Sequence, residues 1–149
     1  MEWRWCFWGE WHGPFTLDRI KELTATLPNQ FLMVGGGTDE ELDELRTVPR
    51  LGGLAIVSPR VTPMAVSTLR SFPELHELIL CGSPITDEFL LALAPLTRLE
   101  TLTLVHTNCT AEGVRKFVDL VTQCKIYKGG GDSILPASLR RELRLFLPG

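Results

Sequence analysis

Three histidines and four cysteines are the residues of this 149-residue chain with the most capacity for chemistry. A cysteine thiolate beside an imidazole can act as a nucleophile, and clusters of the two residue types bind metals. The cysteines form no C-x-x-C pair, and no histidine lies at metal-ligand spacing from them. Reduced, buried thiols are the simpler interpretation, so we expect no metal site and no cofactor.

One grouping could still form a catalytic centre in space. His76, Cys81 and His106 would make a cryptic Cys/His site if the fold brought them together. No sequence motif marks a Ser or Cys as a nucleophile. The carboxylates from Asp39 to Glu44 fit a solvated acidic helix face, or a contact for a basic partner, better than an acid and base pair. We therefore predict that the chain is not an enzyme and keep the Cys/His site as an alternative.

Composition excludes several classes of protein. The formal net charge is −3, whereas nucleic-acid binders usually carry a basic face. No apolar run reaches the roughly 18 residues that a transmembrane helix needs. The amino terminus lacks the basic and apolar regions of a signal peptide, so a cytoplasmic protein is expected. We predict a protein or peptide partner, with neither nucleic acid nor membrane involved.

A repeat of 24 residues organises the elements that must position these side chains. The pattern L-x-x-L-x-L, followed by a short loop, recurs in four units of the chain, with Gln30 and Ile56 each in place of one leucine. Because side chains alternate between the faces of a strand, this spacing predicts one short strand in each repeat. The four sets are Leu27, Gln30 and Leu32; Leu51, Leu54 and Ile56; Leu75, Leu78 and Leu80; and Leu99, Leu102 and Leu104.

The second half of each repeat has helical spacing. A threonine stands where an N-cap belongs in each unit, at positions 38, 62, 86 and 110. Apolar residues follow each threonine at four, seven and ten positions, which defines one face of a helix. These residues are Leu42, Leu45 and Val48; Val66, Leu69 and Phe72; Leu90, Leu93 and Leu96; and Val114, Phe117 and Leu120.

The L-x-x-L-x-L spacing resembles the leucine-rich-repeat family. The segment from Ile85 to Leu93 looks like the cysteine-containing, ribonuclease-inhibitor-like subtype. The resemblance covers roughly residues 27–122 and implies an α/β, right-handed solenoid. Its parallel sheet would form the concave face, its helices would form the convex face, and it would contain about five to six units of 24 residues. The sequence departs from the family at Gln30, which occupies an inward position, and in lacking the usual loop asparagine.

The chain is predicted to be one domain, residues 1–149, with an atypical unit at each end. Residues 1–26 would form an N-terminal capping unit, residues 27–122 the four regular repeats, and residues 123–149 a C-terminal capping unit. The first unit contains an aromatic cluster that is either a plug over the core or a patch for a partner. In the last unit Leu135, Leu139 and Leu143 repeat every four residues, as on an amphipathic helix with a basic solvent side.

Function should reside on the strand side chains that point away from the helices. The 24-residue period places these residues in columns, two of which are apolar at their centres. An exposed apolar sheet with a polar rim is typical of a protein interface. Alternatively, a homodimer mate or another part of the protein covers this face, or it reflects only the strand propensity of its residues. The predicted partner-binding residues are Phe31, Met33, Val57, Glu77, Ile79, Cys81, Thr101, Thr103, Val105, Lys125 and Tyr127.

These patterns predict a non-enzymatic protein-interaction module or scaffold that buries its apolar columns against a partner. On this hypothesis Ile79→Glu abolishes partner capture and leaves the fold intact. The resemblance also implies a second role, as the substrate-recognising adaptor of a ubiquitin-ligase-type complex.

Overall fold

The computed structural model describes residues 2–7, 10–15, 18, 21–22, 30–35, 38–48, 51–57, 60–82 and 85–129, and it shows an α/β fold. The strands are β1 Glu2–Phe7, β2 Glu10–Phe15, β3 Gln30–Gly35, β4 Leu51–Val57, β5 Glu77–Cys81, β6 Thr101–Val105 and β7 Lys125–Gly129. The α-helices are α1 Asp39–Asp43, α2 Val66–Leu69, α3 Asp87–Ala92 and α4 Ala111–Leu120, and 3-10 turns lie at Glu44–Thr47 and Pro63–Ala65.

Within the described residues, seven strands form one sheet with the order β2-β1-β3-β4-β5-β6-β7. Strands β3 to β7 pair in parallel and follow chain order. A parallel pair requires a crossover connection, and α1 to α4 each lie between two consecutive strands of this series. The parallel sheet with intervening helices is the part of the predicted architecture that the structure confirms.

The 24-residue period is exact in the register of β4 to β7. Leu54 pairs with Leu78 and Leu78 with Leu102, so the inward leucines lie side by side on adjacent strands. Ile79 likewise pairs with Thr103, and Thr103 with Tyr127. The predicted columns are therefore correct across these four strands.

Strand β3 does not keep that period, and the columns predicted through it are wrong. Leu32 pairs with Leu54 and Met33 with Ala55, an offset of 22 residues. The difference of two residues comes from the connection between the strand and the helical segment that follows it. Three residues, 36–38, separate β3 from α1, whereas five residues, 58–62, separate β4 from the 3-10 turn at Pro63–Ala65. A slip of two residues preserves the face of every side chain. It places Leu32, not Gln30, beside Leu54 in the row of inward leucines.

The two amino-terminal strands do not continue the parallel series of β3 to β7. Strands β1 and β2 form an antiparallel pair, and β1 also pairs antiparallel with β3. The predicted count of five to six units is therefore not supported, because β1 joins the sheet through antiparallel pairs on both of its sides. The side chains of the predicted aromatic plug, and residues 130–149 of the predicted C-terminal capping unit, lie outside the described residues.

One face of the parallel sheet packs against the helices to form the core. The inward strand residues Leu54, Leu78 and Leu102 belong to the same buried cluster as Leu45, Leu69, Phe89 and Phe117 from the helical segments. The apolar positions predicted from the helical spacing are mostly buried. The exception at the last unit is Leu120, whose side chain is 65% exposed.

Threonine side chains cap the start of three helical segments. Thr38, Thr62 and Thr110 accept hydrogen bonds from backbone amides in the first turn of their helices, as their N-cap positions predict. None of the described helices is long and apolar enough to cross a membrane.

Candidate binding surface

Strands β4 to β7 also carry side chains on the face of the sheet that lies opposite the helices. We call this face the outer face. Since Leu78 and Leu80 belong to the core with the helices, Glu77, Ile79 and Cys81 point the other way. Three rows cross the strands in register. They are Glu77, Thr101 and Lys125; Ala55, Ile79, Thr103 and Tyr127; and Val57, Cys81, Val105 and Gly129.

The centre of the outer face is buried, contrary to the prediction that it lies open to solvent. Ile79 is 2% exposed, Cys81 1% and Val105 0%, and Val57 and Thr103 are buried as well. These side chains do not belong to the core cluster that the helices make with the inner face. The strand alternation correctly assigned their direction, but it could not show whether the face they point to is covered.

Two predicted binding residues lie on the shifted strand. Phe31 pairs with Gly53 and Met33 with Ala55, so they occupy different rows from those that the 24-residue period assigns. Their side chains lie outside what the structure describes. Their part in binding stays a prediction.

The remaining predicted residues form an open strip along the outer face. Glu77 and Thr101 are half-buried, and Lys125 is exposed. They pair in sequence at the first positions of β5, β6 and β7. Tyr127, two residues further along β7, is 48% exposed and lies on the same face of the strand as Lys125. The structure therefore brings together one acidic, one basic and one aromatic side chain of the predicted set at an accessible position.

A groove of about 1030 Å³ adjoins this strip, in the segments that lead into β5, β6 and β7. Its lining includes Thr101 and Lys125 of the strip. The other lining residues are Pro73, Glu74, His76, Thr97, Arg98, Glu100 and Gln123. The sequence analysis missed this groove, although polar residues precede each strand at a spacing of 24 and could have indicated it.

Hydrogen bonds between consecutive units hold the walls of the groove. Arg98 Nη1 donates to the carbonyl oxygen of Pro73 at 2.8 Å, and Gln123 donates through its side-chain amide to the carbonyl oxygen of Thr97. His76 Nδ1 lies 3.1 Å from the carbonyl oxygen of Glu74. Charged groups of both signs line the groove, so it suits a polar chain with its own donors and acceptors better than an apolar ligand.

Cys81 has the opposite properties from a catalytic thiol. Burial raises its pKa to about 12, whereas nucleophilic cysteines have lowered pKa values and some exposure. His76 directly precedes β5 and Cys81 ends it, so the length of that strand, roughly 16 Å, separates them. His106 is exposed and follows the strand end nearest Cys81. The structure does not bring the three residues of the alternative Cys/His site together.

Metal ligation finds no geometric support in the part of the chain that the structure describes. There, no three His, Cys, Asp or Glu side chains converge as ligands. Cys81, Cys109 and Cys124 are free thiols. Burial raises the pKa of Cys124 to about 11 and that of Cys109 above its ordinary value.

In comparisons with known proteins, no family model and no curated protein matches the chain.

Proposed function

We propose that this chain is a non-catalytic protein-interaction module, built as a right-handed leucine-rich-repeat solenoid with the outer face on its concave side. The parallel strands and the 24-residue register support the repeat architecture. Stacked repeats usually bind partners along the surface that their strands line up. The proposed location is the cytoplasm, where free thiols stay reduced.

The observation that carries the proposal is the accessible strip Glu77, Thr101 and Lys125, with Tyr127 beside it and the groove alongside. A partner needs exposed groups, so the buried centre at Ile79 is not the contact surface in this structure. Tyrosine contributes large contact areas at protein interfaces, and paired charges of opposite sign orient a partner. The ligand of this surface is an extended polar segment of a protein.

Affinity capture with substituted chains tests this function. The immobilised chain is incubated with native extract beside a variant that carries Lys125→Glu and Tyr127→Ser. Bound proteins are identified by mass spectrometry. We expect one or more proteins to bind the unsubstituted chain and to be lost from the variant, because its central aromatic and basic contacts are gone.

Lys116→Glu is the matched control, since Lys116 is an exposed lysine of α4 on the helical side of the sheet. Its column should retain the same proteins as the unsubstituted chain. If the partners bind all three columns equally, the strip and groove are not the binding surface. Loss from the Lys116→Glu column alone would place the surface on the helices.

A further inference from the structure

The accessible part of the outer face is a band that runs across the strands, not along them. The three strip residues begin β5, β6 and β7 and lie side by side in register. In the next row of the same face Ile79 and Thr103 are buried, whereas Tyr127 is half exposed. A ligand that followed β5 or β6 would therefore meet a covered position after one contact. A segment that crosses the strands can contact all three strip residues.

The charges along this band change sign from one side to the other. Glu74 and Glu77 make the β5 side acidic, and Lys125 makes the β7 side basic. Arg98 and Glu100, in the unit between them, carry opposite charges. Within the described part of the chain, neither Glu77 nor Lys125 forms a salt bridge. A partner with a cation at one end and an anion at the other would complement both sides of the band.

The distance between the two charged strip positions restricts the conformation of a bound segment. Glu77 and Lys125 are two strand spacings apart, which is about 9.6 Å. In a polyproline II helix, side chains three residues apart lie on the same side, at about 9.3 Å. In a β-strand, side chains on one face are about 6.7 Å apart at two residues and about 13 Å at four. Polyproline II therefore matches the strip better than a β-strand does.

The polar groove beside the strip suits the same conformation. A polyproline II segment has no internal backbone hydrogen bonds, so its amide and carbonyl groups can bond to a binding surface. Arg98 uses Nη1 to hold the Pro73 carbonyl oxygen, and a guanidinium group has five N–H donors in all. Gln123 donates through Nε2 to Thr97, and its Oε1 is an acceptor. The groove thus offers both donors and acceptors to a partner backbone.

We propose that the partner segment binds in the polyproline II conformation and crosses β5, β6 and β7. It carries a basic side chain opposite Glu77 and, three residues away, an acidic side chain opposite Lys125. Tyr127 adds an aromatic surface of the kind that polyproline II ligands commonly contact. The inference rests on the proposed function and adds the conformation of the ligand and the spacing of its charges.

Peptide display on the full chain tests this pattern. A phage library of random short peptides is selected against the chain and, in parallel, against a variant with Glu77→Lys and Lys125→Glu. We expect peptides enriched on the unsubstituted chain to share a basic and an acidic residue three positions apart, in one order. On the charge-exchanged variant the same spacing should appear in the reverse order, because the other contacts that orient the peptide backbone are unchanged. The Lys116→Glu control should enrich the same peptides as the unsubstituted chain.

Several outcomes would overturn the inference. A common spacing of two or four residues, or no common spacing, contradicts the polyproline II conformation. The same charge order on both chains contradicts the assignment of the charges to Glu77 and Lys125, and so does the absence of any enriched peptide.

The proposed function is read separately, from the variant with Lys125→Glu and Tyr127→Ser. If peptides without the charge pattern bind the unsubstituted chain but not this variant, the strip is a binding surface and only the present inference fails. If they bind both chains equally, the strip is not the binding surface and the proposed function fails too.

A second measurement applies even if the charge-exchanged variant does not fold. Lys125→Glu alone changes an exposed side chain and leaves the half-buried Glu77 in place. An enriched peptide is labelled with a fluorophore, and its Kd is read from fluorescence polarisation. The Kd should rise at least about threefold on Lys125→Glu, as expected for reversal of an exposed charge pair. A lysine in place of the acidic residue of the peptide should restore the affinity. If it does not, Lys125 does not face that residue and the proposal is wrong.

Discussion

Individual carboxylates join one repeat to the next. Asp39 accepts hydrogen bonds from the backbone amide and hydroxyl of Thr62, and Asp87 accepts the same pair from Thr110. The intervening unit lacks this contact, because Pro63 occupies the equivalent position before Thr86. Each carboxylate therefore ties the start of its own helix to the N-cap of the next one, a contact that helical spacing alone does not reveal.

The pH dependence of stability should contain a contribution from Asp87. The hydroxyl and then the backbone amide of Thr110 lower the pKa of its carboxyl below the ordinary 3.8. The contribution is therefore complete above pH 3.8 and is lost as pH falls through the lowered value. Asp87→Asn should reduce the free energy of unfolding at pH 7, and the difference from the unsubstituted chain should shrink below pH 3.8. Urea denaturation from pH 2 to pH 7 measures this.

Asp119→Asn is the control for that series, since Asp119 is an exposed residue of the last helix. It should leave the low-pH loss of stability unchanged. A curve for Asp87→Asn that runs parallel to that of the unsubstituted chain at every pH would contradict the role given to the Asp87 carboxyl.

Gly113 is a second test of the same contact. A Cβ atom at this position would collide with the Asp87 carboxylate. In a helix, Gly→Ala normally stabilises by up to about 1 kcal/mol. We expect that gain only when Asp87→Ser removes the obstacle, and little or none with Asp87 present. Thermal denaturation of the four chains of this double-mutant cycle gives the coupling, and equal effects in both backgrounds would disprove it.

At the scale of the elements, each helical segment follows a threonine at its N-cap, but not every threonine makes a capping hydrogen bond. Thr110 accepts a hydrogen bond from the Gly113 amide at 3.1 Å, whereas the Thr86 side chain makes no capping hydrogen bond. The sequence predicted the same N-cap role for both residues. The hydroxyl of Thr110 also donates to Asp87 of the preceding unit, whereas Pro63 stands at the equivalent position before Thr86.

The two threonines should therefore differ in their contribution to stability. Thr110→Ala should lower the free energy of unfolding by about 1 kcal/mol, because the first turn loses its acceptor and Asp87 loses the hydroxyl donor. Thr86→Ala should cost clearly less, since it removes no such bond. Urea denaturation of both variants measures the difference. Equal losses would show that Thr86 caps its helix in solution.

At the scale of the molecule, the parallel sheet has two buried sides. The inner face carries the leucines of the repeat, and the outer face carries buried residues that the same period aligns. Parallel sheets are generally covered on both faces. The prediction that Ile79→Glu leaves the fold intact is therefore wrong for this structure, because the new carboxyl would be buried among apolar side chains.

Ile79→Glu should instead destabilise the chain, by about 3 kcal/mol, through burial of an unpaired carboxyl group. Tyr127→Glu is the matched control in the same row, because Tyr127 is half exposed. It should change the free energy of unfolding by less than about 0.5 kcal/mol. Both values come from urea denaturation. If Ile79→Glu is as stable as Tyr127→Glu, the outer face is open in solution.

The sequence by itself determined the strand-and-helix order, the inward leucines and the register of β4 to β7. These features follow from local spacing, since a period of two or of three to four residues fixes which side chains share a face. For the same reason it correctly assigned the direction of Glu77, Ile79 and Tyr127 on the sheet. It also located the N-cap positions, three of which form the expected bonds.

Only the tertiary structure decided the slip of β3, the antiparallel hairpin, the groove and the burial of the outer face. Each depends on contacts between residues far apart in the chain. The pairing of Leu32 with Leu54 is chosen by shared burial, and the shorter loop before α1 permits it. Whether Val105 lies in solvent depends on what packs over it, which the spacing of residues along its own strand does not encode.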